Sequence, residues 1–325
     1  MNTPRETVVP AIVGPTAAGK TAISLILAER LGAEIISVDS RQVYRYLDIG
    51  ADKVSHSVRK RIIHHMLDVA DPDQVFSAAD FANECRDAVR RILARGRIPL
   101  CVGGTPFYYQ AFFGSMLTGN LPKDEAVRIE LEEIARERGK AALHALLEEA
   151  DPESAARLHP NDVRRVVRAL EIHRVTGRSA TEWYRTKGKL VPPGEFKPLY
   201  IGLTKSRPAL FRSIEQRVRE QFASGFPEEV EWLLANGYDE RFPSMQGFGY
   251  KDILECLRGR ITLEEAAERD ISQTKAFSRR QMTWFSKFSP IVWYDTSDCD
   301  AEEVCCSILD HMGLFPGKGF RDHEN

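Results

Sequence analysis

The chain has 325 residues, 43% apolar and 28% charged, the composition of an ordinary soluble globular protein with core enough for two lobes. Its net charge of −2 excludes binding through bulk basicity, so a polyanionic partner has to be met by local basic patches. The six cysteines (Cys85, Cys101, Cys256, Cys299, Cys305 and Cys306) show neither a secreted disulfide spacing nor a CxxC zinc pair, and read as free thiols of a reducing cytoplasm. MNTPRETVVP lacks the long apolar region of a signal peptide. No stretch approaches the ~20 apolar residues of a membrane span, so a cytoplasmic protein without a membrane partner is expected.

Short apolar runs alternate with helix-period segments. VVPAIV at 8–13, EIISV at 34–38 and IPLCV at 98–102 read as buried strands, with TAISLILAERLG and a long stretch at 78–95 as helices between them. This rhythm predicts an α/β fold, a parallel sheet flanked by helices. From about 121 to 195 it breaks: AVRIELEEIARERG, KAALHALLEEA and VRRVVRALEIHRVTG follow one another as helices with no convincing strand. Strand signals return with PLYIGL at 198–203 and PIVWY at 290–294. The expected organisation is a discontinuous core, 1–120 and 196–313, carrying an inserted all-helical domain at 121–195. The last residues, 314–325, have no periodic apolar pattern and read as a frayed tail.

GPTAAGKT follows the first strand and opens the first helix, which is the context a phosphate-binding loop requires. Gly14 and Gly19 let backbone N–H groups turn inward around an anion, Lys20 adds a charge, and the Thr21 hydroxyl can join a Mg²⁺ shell. The helix that begins there presents its positive end to the same anion. The whole loop, Gly14, Pro15, Thr16, Ala17, Ala18, Gly19, Lys20 and Thr21, is the candidate diphosphate cradle, and its spacing is silent about which diphosphate.

Asp39 falls at the carboxyl end of the second strand, the edge where parallel sheets hold ligands. A carboxylate there can take a proton; equally, it can cap a helix beginning at Ser40. Thr105–Pro106, after the third strand, is a plain helix start, although Gly103 and Gly104 before it would admit a ligand close to the backbone. In the helix RRVVRALEIHRVTG, Val163, Val166, Val167 and Leu170 share one arc and Arg164, Arg165 and Arg168 the other. KAFSRRQMTWFSK at 275–287 interleaves four basic residues with Phe277, Trp284 and Phe285. Such faces suit single-stranded RNA, where phosphates meet cations and bases stack on rings; the alternative is a solvated face with the aromatics packed inward. Arg217, beside the stripe Phe211, Ile214, Val218 and Phe222, reads from its spacing as an exposed surface arginine. The histidines are scattered and support no metal site.

Taken together, GPTAAGKT, SVDSRQVYRYLDIGADK, FSAADF, GRIPLCVGGT, LHPNDVRRVVRALEIHRVTGR, IEQRV, MQGFGYKD and SRRQMTWF resemble the tRNA dimethylallyltransferase family, in its order and over residues 14 to about 294. Pro106 and Phe107 stand where the family commonly has glycine and leucine, ADK replaces a more usual TAK at 51–53, and the zinc-finger tail of eukaryotic members is missing, which points to the bacterial type. The resemblance implies a P-loop NTPase-like core and transfer of a dimethylallyl group from dimethylallyl diphosphate to N6 of adenosine 37 in the anticodon stem-loop of tRNA, with Mg²⁺ as cofactor and a monomeric enzyme. Carried over residue by residue, it implies Asp39 as general base, with Thr16 and Arg217 on the diphosphate. It implies tRNA contacts at Asp39, Ser40, Arg41, Gln42, Thr105, Arg128, Arg164, Arg165, Val166, Val167, Arg168, Gln246, Gly247, Phe248, Gly249, Tyr250 and Lys251. Rival readings are a P-loop small-molecule kinase, for which the insertion is too large a lid; a GTPase, for which no NKxD occurs; and a prenyltransferase acting on free AMP or ADP, which has little use for two basic surfaces.

Overall fold

A computed structural model describes residues 7–114, 124–188 and 195–313. The tail at 314–325 lies outside the described residues. Two compact units emerge, one of residues 1–113 and 195–325, the other of residues 114–194.

The larger unit is the α/β core that the alternating pattern predicts. It begins β1 (Thr7–Val13), α1 (Lys20–Leu31), β2 (Ala33–Ser37), α2 (His56–Arg61), β3 (His64–His65), α3 (Ala78–Ala94), β4 (Ile98–Gly103) and α4 (Pro106–Phe113). The smaller unit holds α5 (Glu125–Glu137), α6 (Lys140–Ala150), α7 (Pro152–Arg157), α8 (Val163–Thr176) and α9 (Ala180–Gly188). The core resumes with β5 (Phe196–Thr204), α10 (Arg207–Ala223), α11 (Phe226–Ala235), α12 (Tyr250–Leu257), α13 (Leu263–Phe285), β6 (Ile291–Asp295) and α14 (Ala301–His311).

The strands run parallel in the order β3-β2-β4-β1-β5-β6. β1 is central, with Val13 opposite Gly103 of β4 and Gly202 of β5. Side chains alternate along it: Val9, Ala11 and Val13 enter one apolar layer with Ile36, Val38 and Tyr109. Ile12 enters the other with Ile23, Leu27, Leu100 and Ile201. Both faces are covered, which is why the strand reads as an unbroken apolar run rather than an alternating one. At Gly14 the chain leaves β1 so close to β5 that a Cβ would stand 2.2 Å from the Leu203 carbonyl oxygen, with φ at +147°. No side chain fits there.

Two expectations need amending. β3 is a sixth strand of two residues, too short to carry a hydrophobic period; it exists because His64 and His65 pair with Ile35 and Ile36. No helix begins at Ser40. The segment is a series of turns, since the Gln42 and Val43 carbonyls accept from the N–H groups of Asp68, Val69 and Ala70 and are taken from any helical ladder.

Helix starts follow local chemistry. Ser77 and Asp80 close a capping box on α3, and Thr262 and Glu265 close another on α13. The helical unit has its own core of Leu131, Leu143, Leu147, Val166, Val167, Leu170 and Ile172. Among the described residues no helix is long and apolar enough to cross a membrane.

Candidate functional site

The carboxyl edge of the sheet carries a cleft of about 540 Å³, walled by the phosphate loop, the turn after β2, the end of β4, the segment entering α12, and α10 and α13. Parallel strands deliver their loops to this edge, and the first of them is the phosphate loop. Gly19 stands in the left-handed region (φ 83°) directly before α1, and Ala17 is held there too (φ 63°), a conformation few non-glycine residues adopt. Ala18 is buried beneath the loop, and the Thr296 hydroxyl donates to its carbonyl at 3.0 Å. The Thr16 and Thr21 side chains line the cleft, Thr21 at its exposed rim; neither hydroxyl has a hydrogen bond among the described residues.

Lys20 donates to the Gly14 and Pro15 carbonyl oxygens, at 3.0 and 2.7 Å. Burial and then the neighbouring Arg217 press its ammonium down to about 8, against the opposing pull of Asp39 and Asp52. Arg217 is not the exposed residue its spacing suggests. Its side chain is 25% exposed, one guanidinium nitrogen donates to Asp52 Oδ2 at 3.2 Å, and its buried Nε has no partner among the described residues. A lysine pressed towards neutrality beside an arginine with an orphaned donor makes a site short of negative charge, and an anionic ligand would supply it.

Asp39 opens into the same cleft. Its Oδ1 accepts from the N–H groups of Arg41 (2.7 Å) and Gln42 (3.3 Å), capping a turn where a helix cap was the alternative. Its Oδ2 has no protein partner among the described residues, so the turn fixes the carboxylate and leaves one oxygen for a ligand. Ser40 donates its N–H to the Thr105 hydroxyl at 3.2 Å. Thr105 thus spends its side chain on the β2 turn as well as standing at the start of α4. Arg41 reaches the Pro243 and Ser244 carbonyls, both at 2.8 Å. Gln42 accepts from the Ser37 hydroxyl and donates to the Ala51 and Asp52 carbonyls. Both side chains are therefore bound inside the protein.

The segment 246–251 divides in the same way. Gln246 and Lys251 are exposed, Gly247 and Phe248 line the cleft, and Tyr250 is buried with its hydroxyl donating to Glu229 at 2.8 Å. Gly249 (φ 77°) has no room for a side chain, since a Cβ would meet Phe226 at 2.5 Å and the Asp270 carboxylate at 2.6 Å.

In the helical unit, Arg164 and Arg165 of α8 are exposed, Arg165 within 3.5 Å of Asp162. Val166 and Val167 are core, so their side chains hold the helix and present nothing to a partner. Arg128 and Arg168, 29% and 24% exposed, both bond Glu171, whose carboxylate is wholly buried. Burial would raise that carboxyl; Arg168, the Asp124 N–H and Arg128 outweigh it and hold it low.

Sequence reasoning missed most of the α13 wall. Asp270, Thr274, Phe277 and Gln281 recur at helical spacing and all line the cleft. Asp270, buried and accepting from the Thr274 hydroxyl at 2.9 Å, is pushed up to about 6, chiefly by desolvation. The only available signal was the stripe itself, hidden because the same stretch carries the basic residues read as a surface. Of that surface, Arg279, Arg280 and Lys287 are exposed, Lys275 pairs with Glu215 at 3.2 Å, and Phe285 is core.

Residues 42–288 match the family described as IPP transferase. The chain is 42% identical to the tRNA dimethylallyltransferase of Geobacillus kaustophilus over 287 residues, covering 88% of this chain and 90% of that one. It is 44% identical to that of Moorella thermoacetica over 310 residues, 93% and 94% of the two chains. Its fold is similar to the crystal structure of the tRNA isopentenylpyrophosphate transferase of Bacillus halodurans, at 37% identity and TM-score 0.69, covering 95% of this chain and 96% of that one. It is also similar to a eukaryotic dimethylallyltransferase captured acting on tRNA, at 28% identity and TM-score 0.78, covering 94% and 78%. With a match through three quarters of its length and relatives above 40% identity over nearly all of it, the chain belongs to the IPP transferase family of tRNA dimethylallyltransferases.

Proposed function

We propose that this chain transfers the dimethylallyl group of dimethylallyl diphosphate to N6 of adenosine 37 in the anticodon stem-loop of tRNA, releasing pyrophosphate. The observation that carries the reading is that an anion cradle and a fixed carboxylate with one open oxygen face the same cleft. The bond between C1 of the prenyl group and the bridging oxygen breaks, and C1 bonds N6. The N6 proton passes to Asp39 Oδ2, and the electron pair of the broken bond leaves on pyrophosphate.

Each residue has a task in that scheme. Loop N–H groups, Lys20 and Arg217 stabilise the negative charge that grows on the leaving oxygens. The Thr16 hydroxyl, which lines the cleft with no hydrogen bond among the described residues, can meet the bridging oxygen. An exocyclic amine delocalises its lone pair into the ring and attacks poorly, so proton removal by Asp39 during attack matters. The base must leave the stacked loop to reach the cleft. Arg164 and Arg165 are exposed cations suited to RNA phosphates.

No group of three or more acid, histidine or cysteine side chains able to hold a metal occurs among the described residues. The exposed rim hydroxyl of Thr21 is placed as the phosphate-loop Ser/Thr that can give Mg²⁺ one oxygen, and the diphosphate and water would supply the other ligands. When bound it would draw charge from the leaving diphosphate.

The test uses unmodified anticodon stem-loop RNA, labelled dimethylallyl diphosphate and Mg²⁺, with AMP and ATP as separate alternatives. Label on the RNA adenosine is expected. Label on AMP would replace the reading with a free-nucleotide prenyltransferase, and tight ATP binding without transfer would replace it with a kinase.

A further inference from the structure

Gln281 projects from α13 into the floor of the cleft and is only 3% exposed. Its Oε1 accepts from the Thr16 N–H at 2.9 Å, and its Nε2 donates to the Gly104 carbonyl at 2.6 Å. The first bond holds the phosphate loop after β1, the second the loop after β4. From Gly104 the connection runs on at once: Thr105 donates its N–H to the Val38 carbonyl at 3.3 Å and accepts from the Ser40 N–H at 3.2 Å. Asp39 lies between those two partners. One buried amide thus closes a path from the loop that would hold the donor to the turn that would hold the base.

The path tolerates little change. A Cβ at Gly104 would stand 2.4 Å from Gln281 Nε2, and one at Gly103 would stand 2.0 Å from the Val38 carbonyl oxygen. The bond to Thr16 also withdraws one loop N–H from the anion cradle, which leaves that residue's hydroxyl as its contact with a ligand. A purely space-filling residue here would need neither polar atom, yet both are used, one on each loop.

We propose that Gln281 is a positioning residue for prenyl transfer, setting the distance between the diphosphate loop and the Asp39 turn. The proposal rests on the reading of the cleft given above. Misplacement by an ångström in such an arrangement costs on the order of a hundredfold in rate while leaving each partner's binding nearly intact.

Two variants test it beside wild type, with transfer to stem-loop RNA, binding of inorganic pyrophosphate and binding of the RNA measured separately. Gln281→Leu keeps the volume and loses both bonds; kcat is expected to fall about 30–100-fold while both dissociation constants stay within about threefold. Gln281→Glu keeps the acceptor for Thr16 but opposes the Gly104 carbonyl with a second oxygen. Its kcat should be low near pH 8 and recover towards wild type as pH falls to about 6, where a buried carboxyl regains a proton and can donate again. Gln281→Leu should show no such recovery. Wild-type kcat in Gln281→Leu overturns the proposal, as does a loss matched by an equal loss of pyrophosphate affinity with no recovery in Gln281→Glu. A wild type that moves no label sinks the reading of the cleft and this role with it; variants that match an active wild type sink the role alone.

Discussion

The cleft of the core and the α8 region of the helical unit both concentrate cations, but they treat them oppositely. In the helical unit Arg128 and Arg168 converge on Glu171, a wholly buried carboxylate, and the charge is met within the protein. In the cleft Lys20 rests on two carbonyls with its ammonium pressed down to about 8, and Arg217 keeps a buried nitrogen with no partner among the described residues. The charge of Arg128 and Arg168 is met by a buried acid, whereas Lys20 and Arg217 keep capacity for an anion. Residue type and local charge count do not separate the two cases; how completely the protein meets each cation's donors does.

The sharpest break of this contrast is at Asp39. Asp39→Asn keeps an oxygen to cap the turn and removes the base, so kcat should drop by about 10²–10⁴ with pyrophosphate and RNA binding retained. A variant that turned over normally would leave Asp39 as a turn cap and nothing more. In the helical unit the corresponding change is Glu171→Ala, which strands two partly buried arginines. That unit should lose on the order of 3 kcal/mol, read as a lowered denaturant midpoint, because removing one member of a buried ion cluster leaves uncompensated charge. An unchanged midpoint would mean that Arg128 and Arg168 do not depend on Glu171.

Lys20 supplies a pH signature. Its folded value lies below that of an unfolded lysine, so the unfolded chain holds more protons between about 8 and 10.5, and stability of the empty protein should rise with pH across that window. A bound anion favours the ammonium. Pyrophosphate binding should therefore take up a proton above pH about 8, and affinity should fall by up to about tenfold per unit there, relative to Lys20→Met. Calorimetry in buffers of different ionisation heat reads that proton, and its absence would contradict a Lys20–diphosphate contact. The smallest effect belongs to Arg164→Ala with Arg165→Ala. These exposed residues lie outside the Glu171 cluster, so stability should hold while the tRNA KM rises severalfold and the salt slope flattens by about 1.5–2. An unaltered slope would show that this face does not meet RNA.

Much of this was legible before any coordinates. GPTAAGKT between a strand and a helix marks an anion cradle because backbone geometry over eight residues depends on those glycines themselves. The strands β1, β2, β4 and β5 read out as apolar runs because both sheet faces are covered there, and β6, an edge strand with no buried residue, through its run of β-formers. β3 did not, since two residues contain no period. Spacing alone makes Arg217 read as exposed, since its partial burial comes from the residues packed around the cleft and not from its own helix stripe; only the family resemblance pointed it to the diphosphate. Gln281 was invisible as a site residue, its partner Thr16 being 265 positions away.

The chain by itself determined the local elements: where the longer strands run, where capping boxes start helices at Ser77 and Thr262, and which loop can wrap a phosphate. Those depend on neighbours within a few residues, where propensity, capping and periodicity act. Tertiary structure decided which charges are spent and which are kept: that Arg168 is bound to Glu171, that Asp39 has one oxygen held and one open, and that Gln281 ties two loops together. Whether a polar group is satisfied depends on what stands within about 3 Å of it in space, and sequence order does not carry that information.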